Sequence, residues 1–165
     1  MIRDEAQALA VALRNGFADV NDAVRWADAA IATEQHPHWT ICDVALSVAK
    51  HRGEVADVLE EMPGLPNHAA VMDLLFQLVQ RKLQADASRA ESIARWLYQM
   101  ALADNIHDDD LLKVAWSAWD SLALVDARIT GNRADVINGM RNALATATER
   151  AKARGRQMAG RGVTR

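Results

Sequence analysis

The sequence predicts an all-α protein: a single-domain bundle or stack of about eight helices arranged as helical hairpins. Two observations carry this. Three prolines and eight glycines are all that punctuate 165 residues, and between them apolar residues recur at three-and-four spacing instead of alternating, the pattern of a helix face rather than a strand. A chain of this length, 50% hydrophobic, is also long enough to bury a core without disulfides or metal staples.

The first helix is predicted over residues 3–15, with Ala6, Leu9, Ala10 and Leu13 on one stripe and Gly16 placed as a left-handed cap. Asp19, with Asp22 three residues on, reads as an N-cap. The helix it opens turns Val20, Ala23, Val24, Ala27 and Ile31 inward and Asp22, Arg25 and Asp28 outward. His36-Pro37-His38 interrupts the pattern, because proline disfavours helical geometry in the residue before it. Thr40 is then the expected cap of a helix holding Ile41, Val44, Ala45 and Val48, ended or bent at Gly53. Residues 54–62 form a short helix that buries Val55, Val58 and Leu59 and shows Asp57, Glu60 and Glu61 to water, and Pro63-Gly64-Leu65-Pro66 stops it.

From the capping residue Asn67 to about Gln84, Val71, Leu74, Leu75, Leu78 and Val79, widened by Met72 and Phe76, mark a central helix. Ser88 and Glu91 read as a capping box for a helix with Ile93, Leu97 and Met100 inward and Trp96 inward or at the edge. Asp108 caps the next, whose Leu112, Ala115, Trp116, Trp119 and Leu122 share one face, with both tryptophans assigned to the core. Gly131-Asn132 breaks the chain again, and Asn132 with Asp135 starts a final helix through Val136, Ile137, Met140, Leu144 and Thr148. The domain is read as residues 1–150, with 151–165 a basic, frayed tail whose arginines complement the last helix dipole or fold back on the acidic body.

Charge is the most informative functional feature. The net charge of −3 hides six basic residues and no acid in residues 150–165 (Arg150, Lys152, Arg154, Arg156, Arg161 and Arg165), and without them the chain has a net charge of −9. Residues 19–61 hold nine acids against three bases, and residues 104–126 hold six against one. Such a body repels nucleic acid and attracts basic partners at long range. Three adjacent carboxylates, Asp108, Asp109 and Asp110, repel one another unless water or a cationic partner screens them. The basic tail lacks aromatics to stack on bases, so nucleic acid is disfavoured as a partner.

No catalytic motif is present. Ser47, Ser117 and Ser121 have no nucleophile-elbow context, and there is no glycine-rich phosphate loop, paired-histidine motif or dinucleotide fingerprint. His36, His38, Cys42 and Asp43 include metal-ligating side chains, but no second ligand pair at zinc spacing follows. Cys42 as a nucleophile would need His38 or His51 as base; between Ile41 and Val44 it reads as a small core residue. No enzyme activity, cofactor or metal is therefore expected. No run is long and apolar enough to cross a membrane, and the charged start MIRDEAQALA is no signal peptide, so a cytoplasmic location is expected. Trp26, off its helix's main stripe, and Trp39, beside a loop, are candidates for an interface, where tryptophan is enriched.

The order ADVNDAVRWADAAIA, a proline-containing loop, WTICDVALS and then EVADVLEEMPG, over residues 18–64, resembles small helical proteins encoded beside bacterial polymorphic toxins. Among these it is similar to α-helical immunity proteins of contact-dependent growth inhibition systems. The resemblance implies a small, cytoplasmic, catalytically silent protein that binds a cognate toxin domain, often a nuclease with a basic cleft. It brings no residue-level binding motif. An acidic surface both speeds encounter with such a cleft and competes with its substrate. The expected contacts are therefore drawn from this chain's own chemistry: Asp108, Asp109, Asp110, Asp57, Glu60, Glu61, Trp26 and Trp39. The alternatives are a helical adaptor docking another basic protein, or a nucleic-acid-associated protein that uses the tail.

Overall fold

The computed structural model describes the backbone of residues 1–161 and the side chains of residues 1–154. It contains eight α-helices and one 3-10 turn, with no strand among the described residues. The fold is all-α, and the chain divides into two compact units, Met1–Leu78 and Val79–Arg165.

The first unit holds α1 (Ile2–Asn15), α2 (Val20–Thr33), α3 (Trp39–Ala45), α4 (Arg52–Glu60) and the start of α5 (His68–Ala85). Helix α1 packs chiefly on α4, where Leu9 and Leu13 of one and Val55 and Leu59 of the other are buried. Each leucine or valine so buried stabilises by about 1.5–3 kcal/mol. Gly16 closes α1 with φ 72, and a Cβ there would sit 3.1 Å from the Arg52 guanidinium, so both backbone and space select glycine. Polar links run along the same seam. Arg3 donates to the backbone carbonyls of Leu59 and Gly64, and Asp4 accepts from the Asn67 amide at 2.7 Å, just before α5. Asn67 in turn accepts from the Ala70 amide, in its expected capping role.

Asp19 caps α2 in a reciprocal box with Asp22. The inner face differs from the expected one: Ala23, Ala27 and Ala30 are buried, Val20 and Val24 are half-buried and Ile31 is exposed. Alanines at three-and-four spacing permit close helix approach, and the larger β-branched residues are rotated to the edge. The cap of α3 is His38, whose Nδ1 accepts from the Thr40 amide; Thr40 lies inside the first turn and is buried. The helix ends at Ala45, eight residues before Gly53, which sits instead in the first turn of α4 behind a His51 capping box. Ser47 helps to end α3 by donating to the Asp43 carbonyl at 2.6 Å, which leaves Val48 exposed rather than inward. Cys42 is exposed, not core, because Ile41 and Val44 take the inner face.

The second unit holds the rest of α5, the 3-10 turn Ala87–Arg89, α6 (Ala90–Leu102), α7 (Asp109–Asp126) and α8 (Arg133–Arg161). Helix α6 packs on α7, and α7 on α8. Asp86, not Ser88, caps this segment: the Ser88 hydroxyl and amide both donate to it and hold its carboxyl below the usual carboxylate range. Helix α6 begins after the turn without a side-chain cap, since Ser88 is already spent on Asp86. Asp108 caps α7 by accepting from the Asp110 and Leu111 amides. Asn132 caps α8 through the Ala134 amide. Helices α6 and α7 each leave through a left-handed residue, Asp104 at φ 55 and Arg128 at φ 57.

Helix α7 buries Leu111, Ala115, Ala118 and Leu122. Leu112 and Trp119 are half-buried and Trp116 is 43% exposed, so the expected inner face is displaced by about one residue. Close packing at Ala115 and Ala118 leaves no room for an indole between the helices. Helix α8 buries Ile137, Met140, Leu144, Ala147, Thr148 and Ala151, and Arg141 donates to the Leu83 carbonyl at the end of α5. It continues to Arg161. The side chains of Arg156 and Arg161 and all of residues 162–165, Arg165 included, lie outside the described residues.

Candidate functional site

The acids singled out by charge divide between the two units. In the first, Asp57 and Glu60 share a face of α4 and both accept from Arg14 of α1, at 2.7 Å and 2.9 Å. These bonds, Glu60's foremost, push the Arg14 guanidinium further above its ordinary value. The pair is thus committed to holding α1 against α4. Glu61 beside them is exposed and makes no ion pair among the described residues.

Trp26, half-buried, donates its indole N–H to Glu5 of α1 at 2.8 Å, which ties α2 to α1. Trp39 is 53% exposed, and its ring lies 5.5 Å from that of His38. It shares an outward face of α3 with Cys42 and Leu46. Among the described residues no three His, Cys, Asp or Glu side chains gather as metal ligands; the His38 Nδ1 is occupied by Thr40.

In the second unit, Asp108 and Asp110 are both gripped by Arg150 of α8. Burial works against the ionised Asp108. The Arg150 guanidinium and the Leu111 and Asp110 amides outweigh it and hold the carboxyl below the usual range. Lys113 lies 3.8 Å from Asp110 as well. Only Asp109 of the three is exposed without an ion pair among the described residues. Arg150 and Lys152, two of the three basic residues of residues 150–165 whose side chains are described, are likewise occupied internally, Lys152 by Glu149.

The arrangement that composition did not reveal lies along the seam of α6 and α7. Tyr98 meets Trp116 edge-on, with centroids 5.3 Å apart, and Trp119 at 5.4 Å. The Arg95 guanidinium stacks over Trp119 at 5.5 Å, and Glu91 steadies Arg95 from one turn earlier. Since Tyr98 pairs with Trp116 while Arg95, one turn earlier, pairs with the later Trp119, the two helices run antiparallel. Leu102, 61% exposed, and the half-buried Leu112 lengthen the strip toward the α6–α7 connection. Three exposed carboxylates without ion pairs among the described residues surround it. Asp104 lies in the connection, while Asp109 and Asp120 fall on the Trp116 face of α7, two turns before and one turn after it. Aromatic rings fixed by one another, with an acidic rim, are suited to receiving cationic groups.

The signal for this site was present in α7, where Leu111, Leu112, Val114, Ala115, Trp116, Ala118 and Trp119 make an apolar band too wide for a single buried face. No helix among the described residues is long and apolar enough to cross a membrane. No family model matches the sequence, and neither the curated proteins nor the solved structures contain a match to it.

Proposed function

We propose that this protein acts by binding, without catalysis, and that its partner is a basic toxin domain which it neutralises as an immunity protein. One observation carries the reading. After the internal ion pairs are formed, the second unit still presents Asp104, Asp109 and Asp120 unpaired among the described residues, around an exposed aromatic strip. Such a surface steers a cationic domain toward it and offers desolvated anchors once contact is made. The carboxylates bound to Arg14 and Arg150 contribute to the long-range field but are poorly placed to serve as direct contacts.

The test is protection. Cells expressing the toxin domain encoded beside this chain grow when the chain is co-expressed and fail when it is omitted, and the two proteins co-purify. Co-purification without protection points instead to an adaptor. Loss of both, or the absence of any toxin gene in the neighbourhood, overturns the proposal.

A further inference from the structure

The geometry points to the α6–α7 strip as the docking face, and to an arginine-bearing segment of a protein partner as its occupant, with a partner guanidinium stacked on Trp116. This inference rests on the binding reading above and specifies which surface does the work. Three features of the strip support it.

First, the strip already holds one guanidinium. Arg95 lies 5.5 Å above Trp119, so the cluster demonstrates within the chain the contact that it would make with a partner. Arginine stacks on indole in preference to other rings, and the attraction grows when water is excluded. Trp116, 43% exposed, is held from one side by its T-shaped contact with Tyr98 and keeps an open surface.

Second, the charge left without an ion pair around the open ring, among the described residues, is negative. Asp109 and Asp120 share the Trp116 face of α7 and Asp104 stands at the connection, whereas the basic residues nearby are occupied: Arg95 by Glu91 and Trp119, Lys113 by Asp110. A cation reaching Trp116 meets carboxylates without having to displace a local partner.

Third, the rings are held by one another. Tyr98 touches both tryptophans, so little side-chain freedom remains to be lost on binding, which is the condition under which an aromatic becomes an anchor. Trp39 of α3, comparably exposed, has the His38 ring beside it and no second aromatic ring contact among the described residues.

The test uses the full chain and a nine-residue arginine peptide, titrated by calorimetry at low salt, with nonaglutamate as the control. The arginine peptide binds and nonaglutamate does not. Trp116→Ala weakens binding about thirty-fold, as expected of a central aromatic anchor. Asp109→Asn with Asp120→Asn weakens it several-fold and flattens its salt dependence. Asp57→Asn with Glu60→Gln leaves it within about two-fold, since that pair is held by Arg14. Thermal melts of each variant verify folding; should Trp116→Ala fail to fold, Trp116→Gln serves in its place.

No binding of the peptide, or equal binding by wild type and the strip variants, overturns the inference. Failure here is separable from failure of the immunity reading. A toxin domain that is neutralised equally by wild type and Trp116→Ala leaves that reading intact and removes this face from it, whereas a toxin domain that is not neutralised at all removes the reading itself.

Discussion

Arg150 of α8 grips the start of α7 with both ends of its guanidinium, Nη1 to Asp108 at 2.8 Å and Nη2 to Asp110 at 2.9 Å. A triplet of acids that repels itself in the sequence is thereby left with one carboxylate, Asp109, that has no ion pair among the described residues, and the contact pins the last helix to the one before it. The same bonds hold the Asp108 carboxyl below its usual range.

The sign of the linkage follows. A carboxyl whose folded pKa lies below its unfolded value contributes stability that is present above the unfolded value, near 4, and is lost as pH falls through the folded one. Asp108→Asn keeps a good cap but removes the charge. At pH 7 it is expected to cost roughly 1 kcal/mol, the upper range for a partly exposed pair. The difference between wild type and variant shrinks as pH falls below about 4 and is lost as pH falls through the lowered folded value. Urea unfolding at several pH values measures it.

Trp26 is assigned a structural role. Trp26→Phe retains most of the apolar area but removes the donor to Glu5, so stability falls by about 1.5–3 kcal/mol, the range for a hydrogen bond to a charged acceptor. Affinity for the arginine peptide stays unchanged. A shift in the unfolding midpoint without a change in the binding isotherm is the expected pair of results.

Arg128 holds φ 57 at the exit of α7, a conformation that costs a residue with a Cβ about 1–2 kcal/mol. Glycine relieves this and loses part of the gain to the greater freedom of the unfolded chain. Arg128→Gly is therefore expected to stabilise by roughly 0.5–1 kcal/mol. An unchanged or lower urea midpoint would contradict the assignment.

Cys42 lies on the outward side of α3. In the folded protein it is expected to react with an aromatic disulfide reagent at nearly the rate of the denatured chain. Strong protection, released only by urea, would show that the thiol is covered.

The strong local signals were legible in the sequence. Gly16 as a left-handed cap, Asp19 with Asp22, Asn67, Asp108 and Asn132 all cap where their side chains predict, because a cap is settled by a few neighbouring atoms. The misplaced features are those decided by competition or by a partner. His38 precedes Thr40 as a cap, and Asp86 pre-empts Ser88. Trp116 stands outside because alanines elsewhere on α7 set how closely its neighbour approaches. The over-wide apolar band of α7 was legible, but the pairing that builds the aromatic strip was hidden for the same reason. Its members come from two helices, and which edge of α6 meets which edge of α7 is a tertiary outcome that periodicity along one helix does not contain. The pairing of acids with Arg14 and Arg150 was equally out of reach, since each bond spans forty residues or more.

The packing of α1 on α4 has a consequence during synthesis. Arg14 and Glu60 are 46 positions apart, so at ordinary translation rates the apolar side of α1 waits roughly two to ten seconds for its mate to be made. During that interval Leu9 and Leu13 are available to any chaperone near the ribosome. The whole seam, from Arg3 to Asn67, can close before the first residue of α7 has been added.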